Sequence, residues 1–185
     1  MNNHTRYKLD TAGIVAFIVG VIVLTTVVKV LYTGKPGGVS LSILITTDVV
    51  IVLVATLFGP ISGSLTGFLG VVCGSAYIGM PILFVDALSF AIVGLLVGLF
   101  ADKYGVRENS FTLKNMYLWN VTHIMALIVS FIFVRPYLNY LFMKIDLFNE
   151  IGSGINTTII CAFPVGIVLT CVLFLVSKSV KFVTK

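Results

Sequence analysis

Six apolar runs, each about 20 residues long, fill most of the chain between residues 11 and 177, and about 20 apolar residues are what a helix needs to cross the hydrocarbon core of a bilayer. The runs are 11–31, 40–58, 61–78, 82–101, 116–137 and 155–177. A soluble fold of 185 residues has nowhere to hide them: 58% of the chain is hydrophobic, 10% is charged and the mean hydropathy is +1.12. Soluble domains carry roughly 25% charged residues. The pattern predicts an all-α membrane protein, a compact bundle of six transmembrane helices forming a single domain over residues 1–185.

The breaks between runs have physical causes. Phe58-Gly59-Pro60 parts the second run from the third, because proline ends a helix and glycine supplies the turn. Gly79-Met80-Pro81 does the same between the third and fourth, and 102–115 is the longest charged loop. A second polar connection, 138–154, holds Lys144, Asp146 and Glu150. The first run is too long for a signal-peptide core and no small-residue cleavage site follows it, so it reads as a retained helix. Six spans leave no room for an ATPase or receptor domain, and any energy source is expected to be an ion gradient or a partner.

The net charge of +5 is not a nucleic-acid signature, since the basic residues flank apolar runs rather than cluster. With six spans both termini share a side. That side carries Arg6, Lys8, Lys103, Arg107, Lys114, Lys178, Lys181 and Lys185; the other carries Lys29, Lys35, Arg135 and Lys144. Eight against four places both termini in the cytoplasm. Cys73, Cys161 and Cys171 have no metal-type spacing and read as buried free thiols. No metal and no cofactor is expected.

Ionisable groups inside apolar runs are costly and therefore informative. Asp86, in the outer third of the fourth run, is either a ligand contact or a carboxylate bonded to a neighbouring helix. Asp48, near mid-span, pairs with Lys29 in the simplest reading. His123 has no carboxylate near it in sequence and is expected to make a helix–helix hydrogen bond. Arg135 closes the fifth run beside Tyr137, Asn139 and Tyr140, and either snorkels to headgroups or rims a ligand site. Asn156, Thr157 and Thr158 open the sixth run as caps or as ligand contacts. Tyr32, Lys35 and Tyr77 map to the same outer side, with an aromatic belt as the simpler role for the tyrosines. No HExxH, GxSxG, Walker or CxxC pattern occurs, so the chain is not read as an enzyme. Ala12, Ala16 and Gly20 recur at spacing four on the first span, as do Gly63 and Gly67, Gly70 and Gly74, and Gly94 and Gly98 elsewhere. Such small-residue stripes let helix backbones approach closely in a membrane.

The stretch from Leu57 to Gly70, with its Phe58-Gly59-Pro60 turn followed by Gly63, Gly67 and Gly70, resembles the signature of the substrate-binding S components of energy-coupling factor transporters, nearest to the riboflavin-type group. Ile92 to Phe100, Asn120, Arg135-Pro136 and Gly152 to Asn156 fall at matching positions, and the likeness spans roughly residues 40–178. The resemblance implies a high-affinity binding subunit in a prokaryotic plasma membrane. It would capture a vitamin or precursor (riboflavin, cobalamin, hydroxymethylpyrimidine or a pyridoxine-like ring) at the outer face. Delivery inward would use a membrane coupling subunit and two cytoplasmic ATPases. The subunit is thought to topple in the membrane, which suits a body whose charges sit at its two ends. By position the resemblance selects Tyr32, Lys35, Asp86, Arg135, Asn139 and Asn156 for the substrate. It assigns Ala12 and Ala16, extended by Gly20, to the face that docks on the coupling subunit. The alternatives are a self-sufficient proton-coupled secondary transporter working through Asp48, Asp86 or His123, and a small membrane enzyme or assembly factor.

Overall fold

The computed structural model describes residues 11–31, 41–77, 84–106 and 111–179; Tyr32, Lys35 and the Gly79-Met80-Pro81 break lie outside them. The regular structure among these residues is helical throughout: α1 (Thr11–Leu31), α2 (Leu41–Phe58), α3 (Pro60–Tyr77), α4 (Phe84–Ala101), α5 (Leu113–Leu127), a π segment (Ile128–Val134), α6 (Arg135–Met143) and α7 (Leu147–Ser179). From Leu113 to Met143 the chain is one continuous rod, so the described residues form six helical rods. Four helices are long and apolar enough to cross a membrane: Thr11–Leu31, Phe84–Tyr104, Leu113–Met143 and Leu147–Leu173. Ser42–Phe58 is a shorter apolar helix.

The first four helices are drawn together by glycine. Gly59 takes a φ of 106°, a left-handed turn that glycine adopts without penalty, and its N–H donates to Ala55 O at 3.0 Å. Pro60 then occupies the first position of α3, where a missing N–H costs nothing. α3 runs antiparallel to α2 and α4 and parallel to α1. A Cβ added at Gly94 would stand 2.5 Å from the backbone of Gly63, and one at Gly98 would stand 2.5 Å from Pro60 Cα. The expected close packing of small residues is therefore present, most densely between α3 and α4.

Gly20 of the first stripe also turns inward. A Cβ there would meet Thr66 Cγ2 at 2.8 Å, while Ala16 is half-buried and Ala12 exposed. The buried line of α1 is Gly13, Gly20, Leu24 and Val28. Its other side presents Ile14, Val15, Ile18, Val19 and Ile22 to the surroundings.

Three expectations about boundaries and burial change. The segment 138–154 is not a loop, because the fifth rod continues to Met143 and α7 begins at Leu147. Pro136 lacks an N–H, and its ring crowds the preceding turn of an α-helix. The π segment widens that turn, with Arg135 N–H donating back to Ser130 O, and the helix continues past the proline. The real turn is Lys144-Ile145-Asp146, with Lys144 left-handed at φ 55° and Asp146 Oδ2 accepting from Asn149 N–H at 3.2 Å. Asn156, Thr157 and Thr158 are accordingly interior residues of α7 and cap nothing. Of the three thiols only Cys161 is buried; Cys73 and Cys171 lie on the helical surface.

The apolar core joins Leu24, Ile51, Val52, Phe90, Val93, Leu127, Phe131, Val165 and Leu169. Phe90 and Phe131 meet edge to face at 5.0 Å and fix α4 against the π segment. At the opposite wall of that segment α7 comes so near that a Cβ on Gly154 would collide with Phe131 O. This three-way contact holds the adjoining turns of α4, α6 and α7 within side-chain reach of one another.

Candidate functional site

At one end of the bundle polar side chains from three rods converge. This is the end that holds the last turns of α1 and α3 and the first turns of α2, α4 and α7. Asp86 lies in the first turn of α4, where the helix dipole favours a carboxylate. Arg135 Nε donates to Asp86 Oδ1 at 2.6 Å, and Arg135 Nη1 donates to Ser153 Oγ of α7 at 3.2 Å. The same Nη1 stands 3.9 Å from Glu150 Oε2, to which Asn139 Nδ2 donates at 2.8 Å. Arg135 and Asn139 are four residues apart and share one face of α6. Glu150 and Ser153 are three apart and share one face of α7.

These side chains are neither solvated nor sealed. Arg135, Asp86 and Glu150 keep 17%, 20% and 15% of their side-chain surface, and Asn139 is buried. That degree of access suits a site that an external molecule reaches. At the same end Phe84, Tyr137 and Tyr140 are exposed, Phe84 packs edge to face on Phe68 at 5.6 Å, and Lys144 lies over the Tyr140 ring at 6.0 Å.

Asp86, Arg135 and Asn139, chosen from sequence, are thus brought together. Asn156 is exposed one turn beyond Ser153 and joins none of these bonds. Glu150 and Ser153 were missed, because a helix drawn from residue 155 left both in a loop. The signal available was Asp146 followed three residues later by Asn149, a cap sequence that starts α7 early enough to include them.

A second polar group lies deeper. Asp48 Oδ2 and His123 Nε2 are 2.9 Å apart, and both side chains are fully buried. Trp119 stacks on His123 with ring centroids 5.9 Å apart. The pairing of Asp48 with Lys29 is therefore corrected: Lys29 is on the surface with its ammonium 5.2 Å from the centre of the Tyr77 ring, while Asp48 faces the core and finds α5. The helix–helix hydrogen bond expected of His123 is present. Asn120 makes another such tie, donating from Nδ2 to Thr170 Oγ1 of α7 at 2.8 Å.

Comparison with known proteins follows the same lines. A sequence profile of the family described as "ECF-type riboflavin transporter, S component" matches residues 5–179. The chain is 28% identical over 180 residues to a UPF0397 protein of Clostridium perfringens, covering 94% of this chain and 93% of that one. It is 28% identical over 131 residues to a UPF0397 protein of Streptococcus agalactiae, covering 70% and 71% of the two chains. For a UPF0397 protein of Lactobacillus gasseri the figures are 26% over 128 residues, with 69% and 68% covered. No solved structure matches.

Proposed function

This chain belongs to the family of ECF-type riboflavin transporter S components, and on that premise we propose that it captures a vitamin-class molecule at the outer face of the membrane and hands it inward. Membership together with its apolar helices makes it a multi-pass protein of the bacterial plasma membrane and a transporter component. In the proposed reading six rods span the bilayer with both termini in the cytoplasm. A membrane coupling subunit and two ATPases supply the energy. The exposed face of α1 that carries Ala12 and Ala16 meets the coupling subunit.

The observation that carries this reading is the convergence of Asp86, Arg135, Asn139, Glu150 and Ser153 from three rods at a single end. A binding site of this kind needs a few oriented polar groups within apolar walls, and their partial exposure leaves a way in. The charge count along the chain supports assigning this end to the outside. The first test is mass spectrometry of small molecules that co-purify with the detergent-solubilised protein, followed by titration of the compound found. A stoichiometric vitamin supports capture; an empty protein that ignores a vitamin panel argues against it.

One observation favours a second reading. The buried Asp48–His123 pair is the kind of group that relays protons in secondary transporters. Uptake that collapses with the proton gradient and persists without ATPase partners would select that reading.

A further inference from the structure

The charge inventory at the α4–α6–α7 end defines a substrate class, an inference that rests on the capture reading above. Two carboxylates, Asp86 and Glu150, face a single guanidinium, Arg135, and the remaining partners Asn139 and Ser153 are neutral. The described residues of the site therefore carry a formal net charge of −1. Both carboxylates sit in the first turn of a helix, Asp86 in α4 and Glu150 in α7, the end of a helix where a carboxylate is favoured. Of the described lysines at this end, Lys29 lies over Tyr77 and Lys144 over Tyr140, and neither forms an ion pair with Asp86 or Glu150 among the described residues.

The bonding is also lopsided toward acceptors. Arg135 gives Nε to Asp86 and Nη1 to Ser153, and Asn139 gives Nδ2 to Glu150. Asp86 Oδ2 and Glu150 Oε1 accept no hydrogen bond among the described residues. An anionic ligand that approached Arg135 would meet two carboxylates already gathered around it. A ligand offering N–H donors or positive charge would meet two unfilled carboxylate oxygens.

We propose that the site selects a ligand that is cationic or carries an amine or amidine, and discriminates against anionic forms such as carboxylates and phosphate esters. Riboflavin, which is neutral, would then be a weaker ligand than a protonated amine of similar size.

The test is calorimetric titration of the purified, ligand-stripped protein with two charge-graded sets. One is pyridoxamine, pyridoxine and pyridoxal 5′-phosphate; the other is thiamine, riboflavin and riboflavin monophosphate. The expected result is that the cationic or amine-bearing member of at least one set binds tightest, by tenfold or more over its anionic member. Glu150→Gln should then weaken that ligand at least about tenfold, the scale of one charge-assisted hydrogen bond, and leave neutral members unchanged or improved. Added salt should weaken the cation more than the neutral ligand. A neutral or anionic member binding tightest, with Glu150→Gln without effect on it, overturns the charge inference and leaves the capture reading standing. If no panel member binds, the charge of the co-purified ligand decides by the same rule. A protein that carries no ligand and binds no probe overturns both.

Discussion

Replacing Gly94 by alanine tests whether the α3–α4 contact is as tight as the geometry requires. The new Cβ would lie 2.5 Å from Gly63 C and O and 2.9 Å from Ser64 N. These are backbone atoms inside a helix, which cannot swing aside as a side chain can. Reaching an ordinary contact of 3.4 Å means moving the two helices apart by about 0.9 Å. α3 is itself braced on the far side by α1 and α2, where a Cβ on Gly63 would run into Ala55 and one on Gly70 into Leu24. Overpacking of this kind costs typically about 1–3 kcal/mol, against which the better helix propensity of alanine returns up to about 1 kcal/mol. Gly152→Ala supplies the control: it is also helical, and a Cβ there meets nothing within 4 Å, so it keeps the propensity gain alone. The propensity gain is common to both, so the two variants should differ by about 1–3 kcal/mol, or on the order of 2–12 °C in melting temperature for a chain of this length. Thermal unfolding in one detergent, followed by the fluorescence of the single tryptophan, Trp119, reads the difference. If Gly94→Ala melts no lower than Gly152→Ala, the glycine contact does not hold the two helices together and the packing argument fails.

Other perturbations address the two polar groups and the exposed helix. Asp86→Asn should weaken ligand binding by at least about tenfold, 1.4 kcal/mol, with the melting temperature near that of the parent; unchanged affinity in a titration would assign Asp86 to structure alone. Ala12→Trp or Ala16→Leu should abolish uptake by cells while leaving the affinity of the purified protein intact, whereas Gly20→Leu, which drives into Thr66, should impair both. His123→Ala strands the carboxylate of Asp48 in the core and should cost about 3–5 kcal/mol. Combining it with Asp48→Leu should recover much of that loss in a melting experiment, and additive losses would mean the pair is not coupled.

The sequence announced what lipid and glycine dictate. Apolar run length set the number of rods, and the spacing of Gly63, Gly67, Gly94 and Gly98 marked the tightest helix pair, because both signals are local and periodic. Ends were legible only where proline acts in its ordinary way, as at Pro60. Pro136 suggests a stop, yet a π turn absorbs it, and whether a chain widens a turn or ends it depends on what packs alongside: here Phe90 and Gly154 hold both walls of the segment. That misreading hid Glu150 and Ser153. Asp48 shows a second limit. Lys29, at the end of the preceding span, was the expected partner, but the partner found is His123, 75 residues away, because facing direction in a bundle is decided by every helix at once.

The placement of the site follows from where the stiffness lies. α2, α3 and α4 are joined by backbone-close contacts at Gly63, Gly67, Gly94 and Gly98, with α1 seated on α3 through Gly20 and Gly70, and backbone contacts of that kind cannot slide without collision. The fifth rod and α7 share one contact of that kind, at Gly154, and are otherwise held by side-chain pairs such as Asn120–Thr170. Asp86 stands on the stiff side of this seam, while Arg135, Asn139, Glu150 and Ser153 stand on the other. The Asp86–Arg135 ion pair is therefore a tie across the seam, made by groups about one-fifth exposed, where an ion pair is worth less than in a sealed core. A ligand that supplies its own donors to Asp86 competes with a bond of modest strength and in return spans both sides. In the proposed reading, occupancy of the site therefore bears directly on the Asp86–Arg135 tie between α4 and α6.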